Sequence, residues 1–389
     1  MASDVFTRWR YKLVPDKIVG EILSKSWVDS AIPFLFLLIS LAVFGALLPS
    51  MFTAGSMSGM TRTAGEYLLV ALGLTIVIMA GGIDLSVGSV FALANLSMLA
   101  LGGVVGLPWR LAALIVLAMG GLIGLVNGLL IGYLRLRAFL TTLVMLIICR
   151  AITDALLLSY SKEMSSIQIA SPIWDFLAFK TVFGVAPSFL VAVALAALAH
   201  FALTRLRAGW HILAVGGSRR AALNAGIDVR RTVCMTYVMS GALTAAAGIF
   251  YAARLASLGN DTGLGLEITI LTAVVLGGTS LGGGRGSVFK TFLGVVIVVI
   301  ITNSLIRLGL RSGASSLVLG SILLLAVAID VRWLKNRSKL LARSYLSPTF
   351  FALPPLQKVS RQPTSPYAIN DLLSDAEPIG WAKWTGPRM

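Results

Sequence analysis

Along most of its length the chain repeats one pattern: a long apolar run, then a short polar, basic or glycine-containing break. The runs approach the roughly 20 residues that an α-helix needs to cross the hydrocarbon core of a bilayer. Ten stretches are predicted as helices, at 31–49, 65–82, 84–103, 110–133, 138–158, 185–204, 232–253, 266–279, 287–307 and 313–333. Only Gly81-Gly82 separates the second from the third, and the eighth is short for a full span. The pattern predicts an all-α polytopic membrane protein with about ten transmembrane helices, some of them interrupted. Residues 1–30 mix acids and bases and lack a short apolar core followed by a small-residue cleavage site, so the first run is expected to stay as an anchor.

Three polar segments break the rhythm. Residues 205–231 form a basic loop much longer than a tight helix–helix turn, and 159–184, with Pro172 and Trp174, is expected on the outer surface. Residues 344–389 hold seven of the thirteen prolines and too few apolar residues for a core, which predicts a disordered tail. The predicted organisation is a cytoplasmic segment 1–30, a transmembrane domain 31–333 with its cytoplasmic loop 205–231, and the tail 344–389.

Composition turns this expectation into an exclusion. The chain is 57% hydrophobic and 12% charged, with a mean hydropathy of +0.90, too few charges for the water-facing surface of a soluble domain. The net charge of +16 reads as basic cytoplasmic loops rather than a nucleic-acid surface. With the N-terminus inside, 24 of the 32 Lys and Arg residues fall on cytoplasmic segments. Seven fall outside (Arg62, Arg110, Lys162, Lys180, Arg254, Arg307 and Arg311), and Arg150 lies within a helix. That asymmetry predicts both termini on the cytoplasmic side. Two cysteines in apolar segments and two distant histidines give no disulfide framework and no metal site, so neither catalytic nor metal-binding residues are nominated.

Candidate chemistry sits in three places. In Gly81-Gly82-Ile83-Asp84-Leu85-Ser86-Val87-Gly88-Ser89 the glycines can end one helix, and Asp84 or Ser86 can cap the next. As structure, this is a cap at the cytoplasmic interface; as function, it is a polar element lining or gating a solute path. The run Leu276-Gly277-Gly278-Thr279-Ser280-Leu281-Gly282-Gly283-Gly284-Arg285-Gly286-Ser287 resembles a phosphate loop but lacks Gly-Lys-Ser/Thr at the required spacing. It is read as a second interruption whose glycines allow close helix approach or line a cavity. Its likeness to the first break hints at a repeat. In the loop from Arg205 to Asp228, Ala221, Ala222, Leu223 and Ala225 suit a short helix stopped by Gly226 that seats in another protein's groove, or a basic surface held near anionic lipid.

Within the apolar helices, Asn95, Asn127, Thr141, Thr142 and Asn303 are either interhelical hydrogen-bond groups or weak ligands for a hydroxylated solute. With Asp84, Ser86, Thr279 and Ser280 they form the set of pathway or gate candidates. Arg150 and Asp154 stand four residues apart and are expected to pair on one helix face.

From about residue 65 to 333 the chain resembles the ribose/xylose/arabinose/galactoside permease family of ABC importers. The matching stretches are Gly82 to Ser89, Phe139 to Met145, Arg207 to Ile227, Ala253-Arg254-Leu255, and Ala273 to Leu281. The resemblance implies a ten-helix fold working as a permease dimer, two ATP-binding subunits on the cytoplasmic side, and a periplasmic solute-binding protein. It implies a bacterial inner-membrane location among membrane lipid, with no nucleic-acid partner. ATP and Mg would be bound by the partner subunits, leaving this chain without cofactor or catalysis. It also makes Arg207–Ile227 the ATPase-coupling segment, with Arg207, Gly209, Ala214, Gly216, Gly217, Ala221, Ala222, Gly226 and Ile227 as the coupling candidates. Three features depart from the family: Ser218-Arg219 where Asn-Glu is common, Thr269 where an acid is frequent, and the long tail after Asp330. The expected cargo is a monosaccharide or sugar-like solute. Branched-chain amino acids or nucleosides are the alternative cargo, and a stand-alone secondary carrier is the alternative machine.

Overall fold

The computed structural model describes residues 28–160, 169, 171–255, 259, 261–310 and 313–328. The predicted tail 344–389 and nearly all of segment 1–30 lie outside the described residues. Thirteen helices are labelled here. They are α1 (Val28–Leu47), α2 (Ala54–Met79), α3 (Val87–Leu99), α4 (Trp109–Gly128), α5 (Ala138–Tyr160), α6 (Pro172–Phe179) and α7 (Pro187–Arg205). They continue with α8 (Arg207–Gly217), α9 (Arg219–Asn224), α10 (Val229–Leu255), α11 (Leu266–Leu276), α12 (Val288–Arg307) and α13 (Gly313–Ala328). The last turns of α3 and α4 widen into π geometry over Ala100–Val104 and Leu129–Tyr133.

Each of the ten predicted stretches contains a helix. Seven of these helices, α2, α3 with its π turn, α4 with its π turn, α5, α7, α10 and α12, are long and apolar enough to cross a membrane. Pro33–Leu47, Leu266–Leu276 and Gly313–Ala328 are apolar but shorter. At the second stretch the helix starts at Ala54 rather than 65. Its polar first turns are held by tertiary partners: the Ala186 amide donates to the Thr61 hydroxyl, and Arg62 donates to the carbonyls of Ala178, Phe179 and Lys180 that end α6.

Helix ends follow the glycines. After α2, Gly81 takes a left-handed φ of 79°, its amide donating to the Ile78 carbonyl and that of Gly82 to the Val77 carbonyl. This doubly bonded Schellman stop recurs after α11, where Gly278 (φ 86°) and Thr279 donate to Val275 and Val274. The two interruptions therefore share one stop geometry, although their Gly-Gly pairs are offset by one residue relative to it. Gly226 ends α9 in the same way, as predicted.

Packing sorts the helices into an enclosed centre and an exposed rim. α2 is almost wholly enclosed, with α7, α10, α11 and α12 around it, while α5 and α7 present most of their apolar surface outward. The closest pairing is between α4 and α10. Gly120, Gly124, Gly128 and Gly132 fall on every fourth position of the α4 rod, and a Cβ on any of them would strike the α10 backbone at Gly241, Tyr237, Cys234 or Arg230. Small residues spaced four apart let two helix backbones touch, which is how membrane helices gain dispersion and weak Cα–H···O contacts. Between α2 and α12 the buried hydroxyls of Thr75 and Thr291 add a 2.8 Å hydrogen bond.

Candidate functional site

The linker between α2 and α3 is held from three sides by polar groups. One oxygen of Asp84 accepts from the Ser86 hydroxyl (2.6 Å) and amide (3.1 Å), and the other accepts from the Ser240 hydroxyl of α10 (2.9 Å). Asn127 of α4 donates to the Ser86 hydroxyl oxygen at 3.1 Å. The Ile83 carbonyl accepts from Tyr237 of α10 at 3.1 Å and lies 3.5 Å from the Thr142 hydroxyl of α5, which bonds more closely to Ala138. Asp84, Ser86, Asn127 and Thr142 are each at most 3% exposed.

One correction to the expected cap follows. Ser86 does occupy the N-cap position of α3, but its hydroxyl turns back to Asp84 instead of accepting from the helix amides. The Asp84 partner Ser240 lies eleven residues into α10, about 16 Å along the helix axis from the start of that helix. A carboxyl enclosed among apolar helices is costly when unpartnered, and three donors offset this cost here.

The remaining pathway candidates are dispersed. Asn95 on α3 is fully buried with neither end of its amide bonded within the described residues, and the Thr279 hydroxyl is also buried and unbonded. Thr141 and Asn303 return their hydrogen bonds to their own helices, at Arg137 and Val299. Ser280 closes the 277–287 loop through its amide, which donates to the Arg285 carbonyl. Asp84, Ser86, Asn127 and Thr142 are thus brought together, while Asn95, Thr141, Thr279, Ser280 and Asn303 are not part of that network.

The expected Arg150–Asp154 pair does not form. Arg150 reaches instead across to the Thr262 carbonyl at 2.9 Å, because the turn before α11 offers a fixed acceptor, and Asp154 stays on the exposed face of α5. Among the described residues the ion pair is Glu66–Arg254 at 2.8 Å, joining α2 to the far end of α10. The Arg254 guanidinium also lies 5.1 Å over the Tyr251 ring, which packs edge-on against Phe91. No helical spacing links residues 66 and 254, so this pair was beyond the reach of the sequence.

The 205–231 segment folds as two helices rather than one. Ser218 caps α9 by accepting from the Ala221 amide (3.2 Å), so one residue of the departure Ser218-Arg219 has a local structural role. Gly209, Ile212, Val215 and Ala222 face the bundle. Arg207, Ala214, Gly217, Ala221 and Gly226 are exposed, and Gly216 and Ile227 lie between. Leu223, named in the expected short helix, is 65% exposed on the outer face; sequence reasoning missed the second large apolar side chain there, Trp210 (60% exposed). Its signal was a bulky apolar residue within a basic segment.

Comparison with known proteins gives this arrangement a context. Residues 56–328 match the family profile described as "Branched-chain amino acid transport system / permease component". The chain is 32% identical to the ribose import permease protein RbsC of Escherichia coli K12 over 310 residues, 79% of this chain and 95% of the relative. It is 36% identical to RbsC of Bacillus subtilis over 301 residues (77% and 91%), and 32% identical to the fructose import permease protein FrcC of Rhizobium meliloti over 311 residues (79% and 86%). No solved structure matches the chain.

Proposed function

Because the chain belongs to the permease family of binding-protein-dependent ABC importers, we propose that it forms the inner-membrane pathway for a monosaccharide, powered by partner subunits. The observation that carries this is end-to-end similarity: nearly the whole of a ribose import permease aligns with the helical core of this chain. The family profile's description favours branched-chain amino acids as the second reading. The ribose and fructose permeases among the relatives favour a pentose or hexose.

In this proposal ten segments lie in the membrane, with both termini cytoplasmic, as the excess of Lys and Arg requires. The end of the bundle bearing α8, α9 and the 277–287 loop then faces the cytoplasm. There the exposed Trp210 and Leu223, flanked by Arg207, Arg219 and Arg220, offer an apolar anchor in a basic rim to an ATP-binding subunit. ATP and Mg belong to that subunit, and this chain contributes no catalysis and no cofactor. A periplasmic binding protein supplies selectivity at the opposite end, and a second permease copy completes the pathway in the lipid bilayer. The dispersed polar groups suit a weakly binding route for a hydroxylated solute.

The test is ATP hydrolysis by the reconstituted complex with binding protein loaded with ribose, fructose, allose or leucine. Stimulation by one of the sugars supports the proposal. Stimulation by leucine alone establishes the amino-acid reading, and uptake driven by an ion gradient without ATP or partners refutes both.

A further inference from the structure

Three glycine pairs, far apart in sequence, meet at one end of the bundle. Gly81-Gly82 ends α2, Gly216-Gly217 ends α8, and Gly283-Gly284 lies in the loop between α11 and α12. The Gly284 amide donates to the Met79 carbonyl at 2.9 Å. A Cβ on Gly216 would overlap that carbonyl oxygen and sit 2.5 Å from the Gly284 nitrogen. One on Gly283 would lie 2.8 Å from the Gly216 oxygen and 2.9 Å from the Gly81 Cα, and one on Gly284 would lie 2.7 Å from the Gly217 Cα. Gly81, Gly283 and Gly284 also hold φ values of 79°, 80° and 69°, a region closed to most side chains. The three segments therefore touch backbone to backbone.

Such a contact is stiff. Where side chains separate two segments, a rotamer change can absorb a small displacement; where carbonyls and amides touch, it is passed on. The α8 end touches both helix interruptions through the same few atoms. On its other side the α2–α3 linker is tied to α10 through Asp84 and Ser240, so it is gripped at both ends.

We propose that this glycine junction is the positioning contact through which movement of the 207–228 segment reaches both interrupted helices at once. The inference rests on 207–228 being the seat of the ATP-binding subunit, and it adds the route from that seat into the membrane. Gly81, Gly216, Gly283 and Gly284 act through the backbone and need touch neither solute nor nucleotide.

The experiment compares Gly216→Ala with Gly282→Ala, a control in the 277–287 loop beside the junction whose added Cβ meets only the Ser280 hydroxyl at 3.7 Å. Each is reconstituted with the ATP-binding subunit and the loaded binding protein. Gly216→Ala is expected to co-purify with the ATPase but to lose stimulation of hydrolysis and solute uptake by about tenfold or more, within the usual range of coupling between sites. Gly282→Ala keeps both. A Gly216→Ala complex that couples normally overturns the proposal, whereas a wild-type chain that never binds the ATPase refutes the docking reading beneath it. Hydrogen exchange at the Gly284 amide in the wild-type complex decides the matter without any variant. Protection in both the nucleotide-free and ATP-trapped states supports a junction that moves as a unit. Loss of protection in either state, with coupling intact, overturns it.

Discussion

Asp84 offers the most demanding test of how the interrupted helix is held. Asp84→Ala removes an acceptor used by three donors, at 2.6, 2.9 and 3.1 Å, inside a site that is 3% exposed. Each buried donor left without a partner costs about 1–3 kcal/mol. Local repacking would re-satisfy part of this loss, so the expected destabilisation is about 3–6 kcal/mol. Ser240→Ala deletes one donor and leaves the carboxyl with two, so its cost should match a single bond between membrane helices, about 0.6–1.7 kcal/mol. Asp84→Asn keeps the shape: its carbonyl oxygen still accepts from Ser86 and its amide can donate to the Ser240 oxygen, which limits the loss to about 1 kcal/mol. The Asp84→Ala/Ser240→Ala double variant should fall short of the summed single losses by about 1–2 kcal/mol, because Ser240 is then no longer orphaned. Unfolding in mixed SDS and dodecyl maltoside micelles, followed by far-UV circular dichroism, gives all four values. An Asp84→Ala protein within about 0.5 kcal/mol of wild type, or a strictly additive cycle, would refute the linker lock.

Two further outcomes follow from the packing. Glu66→Gln should destabilise by about 1–3 kcal/mol, less than the 3–5 for a fully buried pair because the Arg254 side chain is 26% exposed, and the swap Glu66→Arg/Arg254→Glu should recover part of it; an unchanged thermal midpoint for Glu66→Gln counts against the ion pair. Gly124→Ala drives a methyl into the Tyr237 carbonyl and should cost about 1–3 kcal/mol in the same micelle titration. Gly121→Ala, with nothing within 4 Å of its new methyl, should be neutral or gain up to about 1 kcal/mol of helix propensity, so equal effects at the two positions would disprove the α4–α10 contact.

Apolar run length was enough to find the ten helical stretches, and the glycines at 81, 226 and 278 marked where helices stop. Both signals are local. The first turns of α2 were lost because Ser56, Ser58, Thr61, Arg62 and Thr63 read as a break, and only contacts with α6 and α7 make them helical. Helix α8 was hidden by Gly209, Gly216 and Gly217. These look like loop residues until Leu203 and Met79 are seen pressed against the first two. The α4 glycines were legible as three successive G-x-x-x-G steps, yet in a generally glycine-rich chain nothing local distinguished them. Of the candidate site, Asp84 and Ser86 were found as polar residues beside the Gly81-Gly82 break between two apolar runs. Ser240, Tyr237 and the glycine junction depend on approaches between segments distant in sequence, which no spacing rule reports.

The α4 stripe also says something about how the chain is made. Its partner surface on α10 emerges about 100 residues later, roughly 5–20 s at ordinary rates of synthesis. Until then four glycines offer lipid a side with no methyl groups to pack, and Asp84 waits without Ser240. Helix α10 is thus the late keystone of biogenesis, and its arrival closes the α4 seam, the linker lock and the Glu66 pair together. A chain stalled before residue 229 would keep the α2–α7 and α3–α5 contacts but lack the helix that joins α2, α3 and α4. That unfinished intermediate is the one for membrane quality control to recognise.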